Sequence, residues 1–401
     1  MQARPQIADL VGHRFAVMRL GLALSGGGAR AAVFHMGLLL RLASEKLLED
    51  VEQLSTVSGG SLGIAAVLGI TGLRWPGSVE FEQTVYPALR DMMTTTELFG
   101  WGALGGSGVL RFRSRLLGHR ASVLADLLER QWKVVGLLAD LPDRPNWWIN
   151  TTCLETGKNW RFSKHEMGDW QFGRHYAPPF RLAEATAASA AVPYIVGALH
   201  LKLPPEGWYE TDPATRKPIR RTNTQSTVRL WDGGAYENLG LESLYKPKQG
   251  LIECDFLICS DASGPLPAMG RADPFAIFRG HLASPRLFDI GSDQIRALRS
   301  RMLMASIASG QVKGAIVRMG NSARDIDIKA GRLRDAAHYA RFLKDEEVAL
   351  AFQYPTDLKA LSELCFDRIA RHGFEVADST LTAHNFEQFP RTFEWPQAPG
   401  Y

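Results

Sequence analysis

The chain lacks most of the features that settle a protein's class quickly. Its four cysteines, Cys153, Cys254, Cys259 and Cys365, form no Cys-x-x-Cys pair in 401 residues. A disulfide framework is therefore excluded, and most of them read as small core residues. No His, Cys, Asp or Glu cluster has ligand spacing, so no metal or other cofactor is expected. Basic residues number 46 against 42 acidic ones, a net charge of +4. With no basic run, nucleic acid is excluded as a partner, and an anionic surface is favoured only weakly. There is no stretch of 18 apolar residues, which argues against a spanning helix. Residues 1–19 carry Arg4, Asp9, His13 and Arg14 in place of an apolar core, so no secretory signal is read there. Repeats and low-complexity tracts are also missing.

What is present is an alternation of short apolar runs and helical patterns, as expected for a largely parallel sheet covered by helices. Strands are expected at residues 20–24, 54–57, 147–150, 228–231 and 256–260, with a helix over 31–42. Glu155-Thr156-Gly157-Lys158 reads as a hairpin turn. Residues 201–227 are polar and hold Pro204, Pro205, Pro213 and Pro218, which suggests a surface excursion on the rim of a site. Residues 290–309 read as a helix and 314–318 as a strand, forming either a subdomain or an oligomer contact.

Three motifs carry chemistry. Gly59-Gly60-Ser61-Leu62-Gly63 follows the strand-like 54–58 and precedes an apolar helix. A Gly-x-Ser-x-Gly in that context puts its serine on a tight turn, with Ser61 as the expected nucleophile. Gly26-Gly27-Gly28-Ala29-Arg30 lies between a strand and a helix. Consecutive glycines there leave N–H groups bare at the positive end of a helix dipole, fit for a phosphate or an oxyanion. Asp232-Gly233-Gly234 follows a strand, and its carboxylate could act as base for a serine brought within hydrogen-bond reach.

In this order the three motifs resemble the patatin-like phospholipase family. The resemblance implies a three-layer α/β/α fold with a mostly parallel sheet and added C-terminal helices. It implies a Ser61–Asp232 dyad without a catalytic histidine, and an oxyanion loop of Gly26, Gly27, Gly28 and Arg30. Residues 185–193, small residues ending in Pro193, and the strand at 255–264 are also similar to the family's pattern. Coverage runs from about residue 20 to 264. One departure is Ala31, where the family usually has glycine. The expected division is an extension at 1–19, a catalytic domain at 20–270, and a helical part at 271–401 completing or decorating it. The implied activity is hydrolysis of fatty-acyl esters of membrane lipids, by a cytoplasmic protein peripheral at the inner face of the membrane. A homo-oligomer or a regulatory partner stays open.

Rival readings remain. Ser61 could be a helix cap, the glycine loop could hold a dinucleotide phosphate, and Asp232 could be a turn residue. A Ser–Asp–His order is open to His281, His338, His372 or His384. Of these, His372 precedes Gly373 in what reads as a helix end capped by that glycine. A non-catalytic or ligand-activated lipid-binding protein on the same fold is the remaining alternative. Residues 98–106, with Phe99 and Trp101, and the following Arg111, Arg113, Arg115 and Arg120 could contact lipid.

Overall fold

The computed structural model describes residues 18–96, 98, 120–193, 196–265, 283–356, 358–385 and 387–396. The lipid-contact segment proposed at 98–106 lies outside them apart from Leu98, which is buried.

Five strands form the parallel heart of the sheet: β1 (Leu20–Leu24), β2 (Val51–Val57), β3 (Asn146–Cys153), β13 (Phe256–Asp261) and β14 (Gly314–Arg318). Their order is β14-β13-β1-β2-β3. β1 reads Leu-Gly-Leu-Ala-Leu and is buried throughout, as expected for a strand covered on both faces. Its side chains alternate between two cores. Leu20, Leu22 and Leu24 enter the larger one, and Ala23 enters the smaller. β13 divides likewise, with Phe256 and Ile258 on one side and Leu257 and Cys259 on the other.

The larger core is covered by α1 (Gly28–Ser44), α2 (Gly59–Thr71), α3 (Arg120–Gln131), α4 (Leu182–Ser189) and α6 (Glu363–His384). Leu303 and Ile307 of α5 (Ala283–Ala308) cover the smaller. The architecture is thus a three-layer α/β/α sandwich.

Beyond β3 the sheet turns antiparallel through β4 (Asn159–Phe162), β5 (Glu166–Asp169), β6 (Gly173–Tyr176), β8 (Trp208–Thr211) and β9 (Pro218–Arg221). β7 (Leu199–Lys202) pairs with β10 (Thr227–Asp232), which pairs with β3. A two-stranded ladder, β11 (Tyr245–Lys246) with β12 (Gly250–Leu251), stands apart.

The expected strands and the 155–158 hairpin are present. The polar stretch 201–227 is the surface excursion expected, with β8 and β9 in it extending the sheet, but none of its residues lines the cavity described below. One other expectation fails. Gly373 does not cap a helix, because α6 runs through it to His384. It meets α1 instead, where a Cβ on Gly373 would strike the Phe34 carbonyl and one on Gly37 the Ala370 carbonyl. Residues 314–318 join the central sheet beside β13, so they build no separate subdomain.

Candidate active site

β3 brings the site together. Along one edge it pairs in parallel with β2, ending at Val57↔Asn150. The next residue on the same strand, Thr151, pairs with Asp232 at the end of antiparallel β10. The C-terminal ends of β2 and β10 therefore meet head to head. The residue that follows β2 is Ser58.

Ser58 has φ 49° and ψ −114°, a left-handed, strained conformation for a residue with a Cβ. The turn is tight because the glycine after it lies against the glycine loop: a Cβ on Gly59 would strike the Gly28 carbonyl and approach its nitrogen to 2.9 Å. Ser58 lines a cavity of about 550 Å³ with Asp232, Gly26, Gly27, Arg30 and Asn238. Its side chain stands close enough to the Asp232 carboxylate to favour the ionised form of that carboxyl.

Ser61, the nucleophile expected from the Gly-x-Ser-x-Gly pattern, is elsewhere. It lies within the first turn of α2, has no solvent exposure, and its hydroxyl is held by Thr56 Oγ1 at 2.7 Å and Ser189 Oγ at 2.8 Å. It does not line the cavity. The physical reason is the strand end: an elbow exposes the residue that directly follows its strand, and β2 stops at Val57. Gly60 and Gly63 serve packing here, since a Cβ on Gly60 would meet the Leu24 carbonyl and one on Gly63 the Met36 methyl.

Asp232 is nearly enclosed, and burial raises its pKa from 3.8 to about 6. The nearby Ser58 side chain and the Gly234 N–H, which donates to the carboxylate at 2.7 Å, oppose that rise. Its backbone is fixed by N–H donation to Ala191 O at 3.0 Å and by Thr152 Oγ1 donating to its carbonyl at 2.8 Å. Gly233 and Gly234 turn the chain into a short 3-10 segment directly after it.

In the glycine loop the three N–H groups differ. Gly26 donates to Asn238 O at 3.1 Å, whereas Gly27 and Gly28 have no backbone acceptor among the described residues. These two sit at the N-terminus of α1, beside Gly59, whose N–H is also without a backbone acceptor among the described residues. Arg30 is buried and pairs with no carboxylate among the described residues. Nη1 donates to Tyr354 O at 2.6 Å and Nη2 to Ala262 O at 3.4 Å, while Nε has no partner. Burial lowers its pKa to about 10, so it stays cationic at neutral pH.

No histidine among the described residues lines the cavity. His372 is buried against the Phe34 ring and accepts the Gly320 N–H at Nε2, with burial holding its pKa near 3. His35 is likewise spent on Ser25 O and Ser260 Oγ, both at 2.9 Å. His281 lies outside the described residues. α5 lies over the cavity with Phe288, Ser292 and Arg296, and Ser292 Oγ donates to Gly234 O at 3.1 Å.

Sequence reasoning missed Ser58, Asn238 and Ser189. Ser58 had a signal: it is the first residue past the strand and is followed by two glycines. Asn238 and Ser189 had none, because their contacts are tertiary.

A strand–turn–helix serine and a buried aspartate thus line one cavity beside a helix N-terminus, on the sheet of a three-layer α/β/α protein. Residues 22–245 match the family described as patatin-like phospholipase. The chain belongs to that family. No curated protein matches it. Among solved structures it is similar to human GIVD cytosolic phospholipase A2, with a TM-score of 0.55 and 14% identity over 93% of this chain and 60% of that one. The same human enzyme in complex with methyl gamma-linolenyl fluorophosphonate gives a TM-score of 0.53, with 14% identity over 93% and 59%. At that identity the likeness shows the fold, and the chain spans about 60% of the length of those structures.

Proposed function

We propose that this protein is a serine lipid acyl hydrolase of phospholipase A or lysophospholipase type, acting through Ser58 and Asp232. The observation that carries the reading is the strained Ser58, which lines one cavity with the buried carboxylate of Asp232 and the glycine loop. Asp232 takes the Ser58 proton, and Ser58 Oγ attacks the carbonyl carbon of a fatty-acyl ester. The N–H groups of Gly27, Gly28 and Gly59 hold the oxyanion, aided by the α1 dipole. The alkoxide leaves as lysolipid with the proton from Asp232. Water then attacks the acyl-serine, with Asp232 again as base, and the fatty acid departs. Arg30 supplies a buried positive charge suited to a lipid phosphodiester. Chemistry of this kind needs peripheral contact with a membrane and uses no cofactor.

The test is hydrolysis of mixed bacterial phospholipids, read by mass detection of fatty acid and lysolipid. Wild type and Ser61→Ala should release both, while Ser58→Ala and Asp232→Asn should release neither. Release by Ser58→Ala would sink the reading, and so would release by Asp232→Asn. If none of the four releases product, a fluorophosphonate adduct on Ser58 of the wild type would support a ligand-activated form of the same enzyme.

A further inference from the structure

Beneath the elbow lies a closed chain of hydroxyl groups with defined polarity. Trp147 Nε1, which can only donate, reaches Thr56 Oγ1 at 2.9 Å. Thr56 Oγ1 is 2.7 Å from Ser61 Oγ, which is 2.8 Å from Ser189 Oγ. Ser189 Oγ donates to Asn150 O, which can only accept, at 2.8 Å. It also accepts the Ser58 N–H at 3.0 Å.

Each hydroxyl has one proton to give. Because Ser189 spends its own on Asn150 O, Ser61 must donate to Ser189. Thr56 must then donate to Ser61, and Thr56 accepts from Trp147. The two ends fix every direction between them. Ser189 Oγ thus receives two donors, Ser61 O–H and Ser58 N–H, and both of its lone pairs are used. Thr56, Ser61 and Ser189 have no solvent exposure, and Trp147 and Asn150 are nearly as buried. No water competes for these bonds, so breaking one leaves a buried group unpaired.

The far end of the chain is functional in position. Asn150 pairs with Val57, and its neighbour Thr151 pairs with Asp232. Ser189 therefore ties the backbone of the serine-bearing turn to β3, the strand on which the Asp232 end of β10 is paired.

We infer that Ser189 is a positioning residue for Ser58, and that the Trp147–Thr56–Ser61–Ser189–Asn150 relay holds the elbow in the one backbone state that aims the Ser58 hydroxyl at Asp232. The inference rests on the Ser58–Asp232 reading. It also gives Ser61 a role, as the residue that orients Ser189 from below.

The test is the kinetics of fluorophosphonate labelling, with the labelled peptide mapped and the inactivation rate separated from the binding constant. Ser189→Ala should lower the inactivation rate by about 100-fold, the scale set by small misplacement of a reacting group, while binding changes by less than about threefold. Ser189→Thr, which keeps the hydroxyl, should recover most of that loss. Thr56→Val, close to isosteric, and Ser61→Ala should each lower the rate by about 3- to 10-fold, since Ser189 still accepts from Ser58. They keep the inference testable should Ser189→Ala not fold. A purely structural role would lower the melting temperature without dividing rate from binding. Wild-type labelling rates in Ser189→Ala, or in both Thr56→Val and Ser61→Ala, would overturn the positioning role while leaving the dyad standing. A wild type labelled at a residue other than Ser58, or at none, would overturn the dyad and the positioning role with it.

Discussion

Ser58 and Ser61 bond to the same atom: Ser189 Oγ takes the backbone N–H of the first at 3.0 Å and lies 2.8 Å from the hydroxyl of the second. One turn of chain divides them, and only Ser58 faces the cavity. With a soluble ester as substrate, Ser58→Ala should lower kcat/KM by at least about 10⁴, the scale of removing a serine nucleophile. Ser61→Ala should keep roughly a tenth or more of wild-type turnover, because it loses a supporting bond and no reacting atom.

Asp232 should set the acid limb of the rate profile. A base must be ionised to take the serine proton, and burial places this carboxyl near pKa 6. The logarithm of kcat/KM should rise with pH and level off above about 6, well over the usual aspartate range. A limb near 4 would contradict the burial.

The same shift has a consequence for stability with a definite sign. Because the folded pKa lies above the unfolded 3.8, the carboxyl stabilises the fold when protonated, and this is lost as pH rises through about 6. The gap is worth up to about 3 kcal/mol. Asp232→Asn should therefore raise the melting temperature at pH 7.5 and have little effect at pH 4. Activity should vanish in the more stable protein, and a scan at the two pH values checks the sign.

Glycine-to-alanine changes should diverge by position. At Gly37 or Gly373 a methyl would enter a backbone carbonyl of the facing helix, which should cost about 1–3 kcal/mol or more. Gly291, within α5, has no atom of the described residues within 4 Å of a new Cβ. There the helix preference for alanine should stabilise by about 0.5–1 kcal/mol. Denaturant midpoints of the three variants give the comparison.

Arg41 is buried in α1, with Nε 2.6 Å from Asp378 and Nη1 3.0 Å from Glu45. Burial raises the Asp378 pKa and Arg41 pulls it back. Asp378→Ala should cost about 3–5 kcal/mol by leaving a buried guanidinium short of its closer partner. Arg41→Met combined with Asp378→Leu should cost less than the single change, as measured by chemical denaturation.

Much of the architecture was legible in sequence. Continuous apolar runs such as Leu20–Leu24 are what a strand covered on both faces requires, and Asp232 and the glycine loop fell at strand ends as their patterns suggested. Ser58 was hidden because Gly-x-Ser-x-Gly can be written around Ser61, and a pattern does not say where its strand stops. Gly373 misled because a glycine after Arg-His resembles a helix end. Its facing carbonyl on Phe34 belongs to a helix more than 300 positions away.

By itself, then, the sequence determined the order of strands and helices and the kinds of residue at their ends, because periodicity and turn chemistry are local. The tertiary structure alone decided which serine meets Asp232. That meeting depends on β2 and β10 ending at consecutive residues of β3, and on a hydroxyl of α4 closing a bond to the turn. Such contacts join segments far apart in the chain, and local spacing does not encode them.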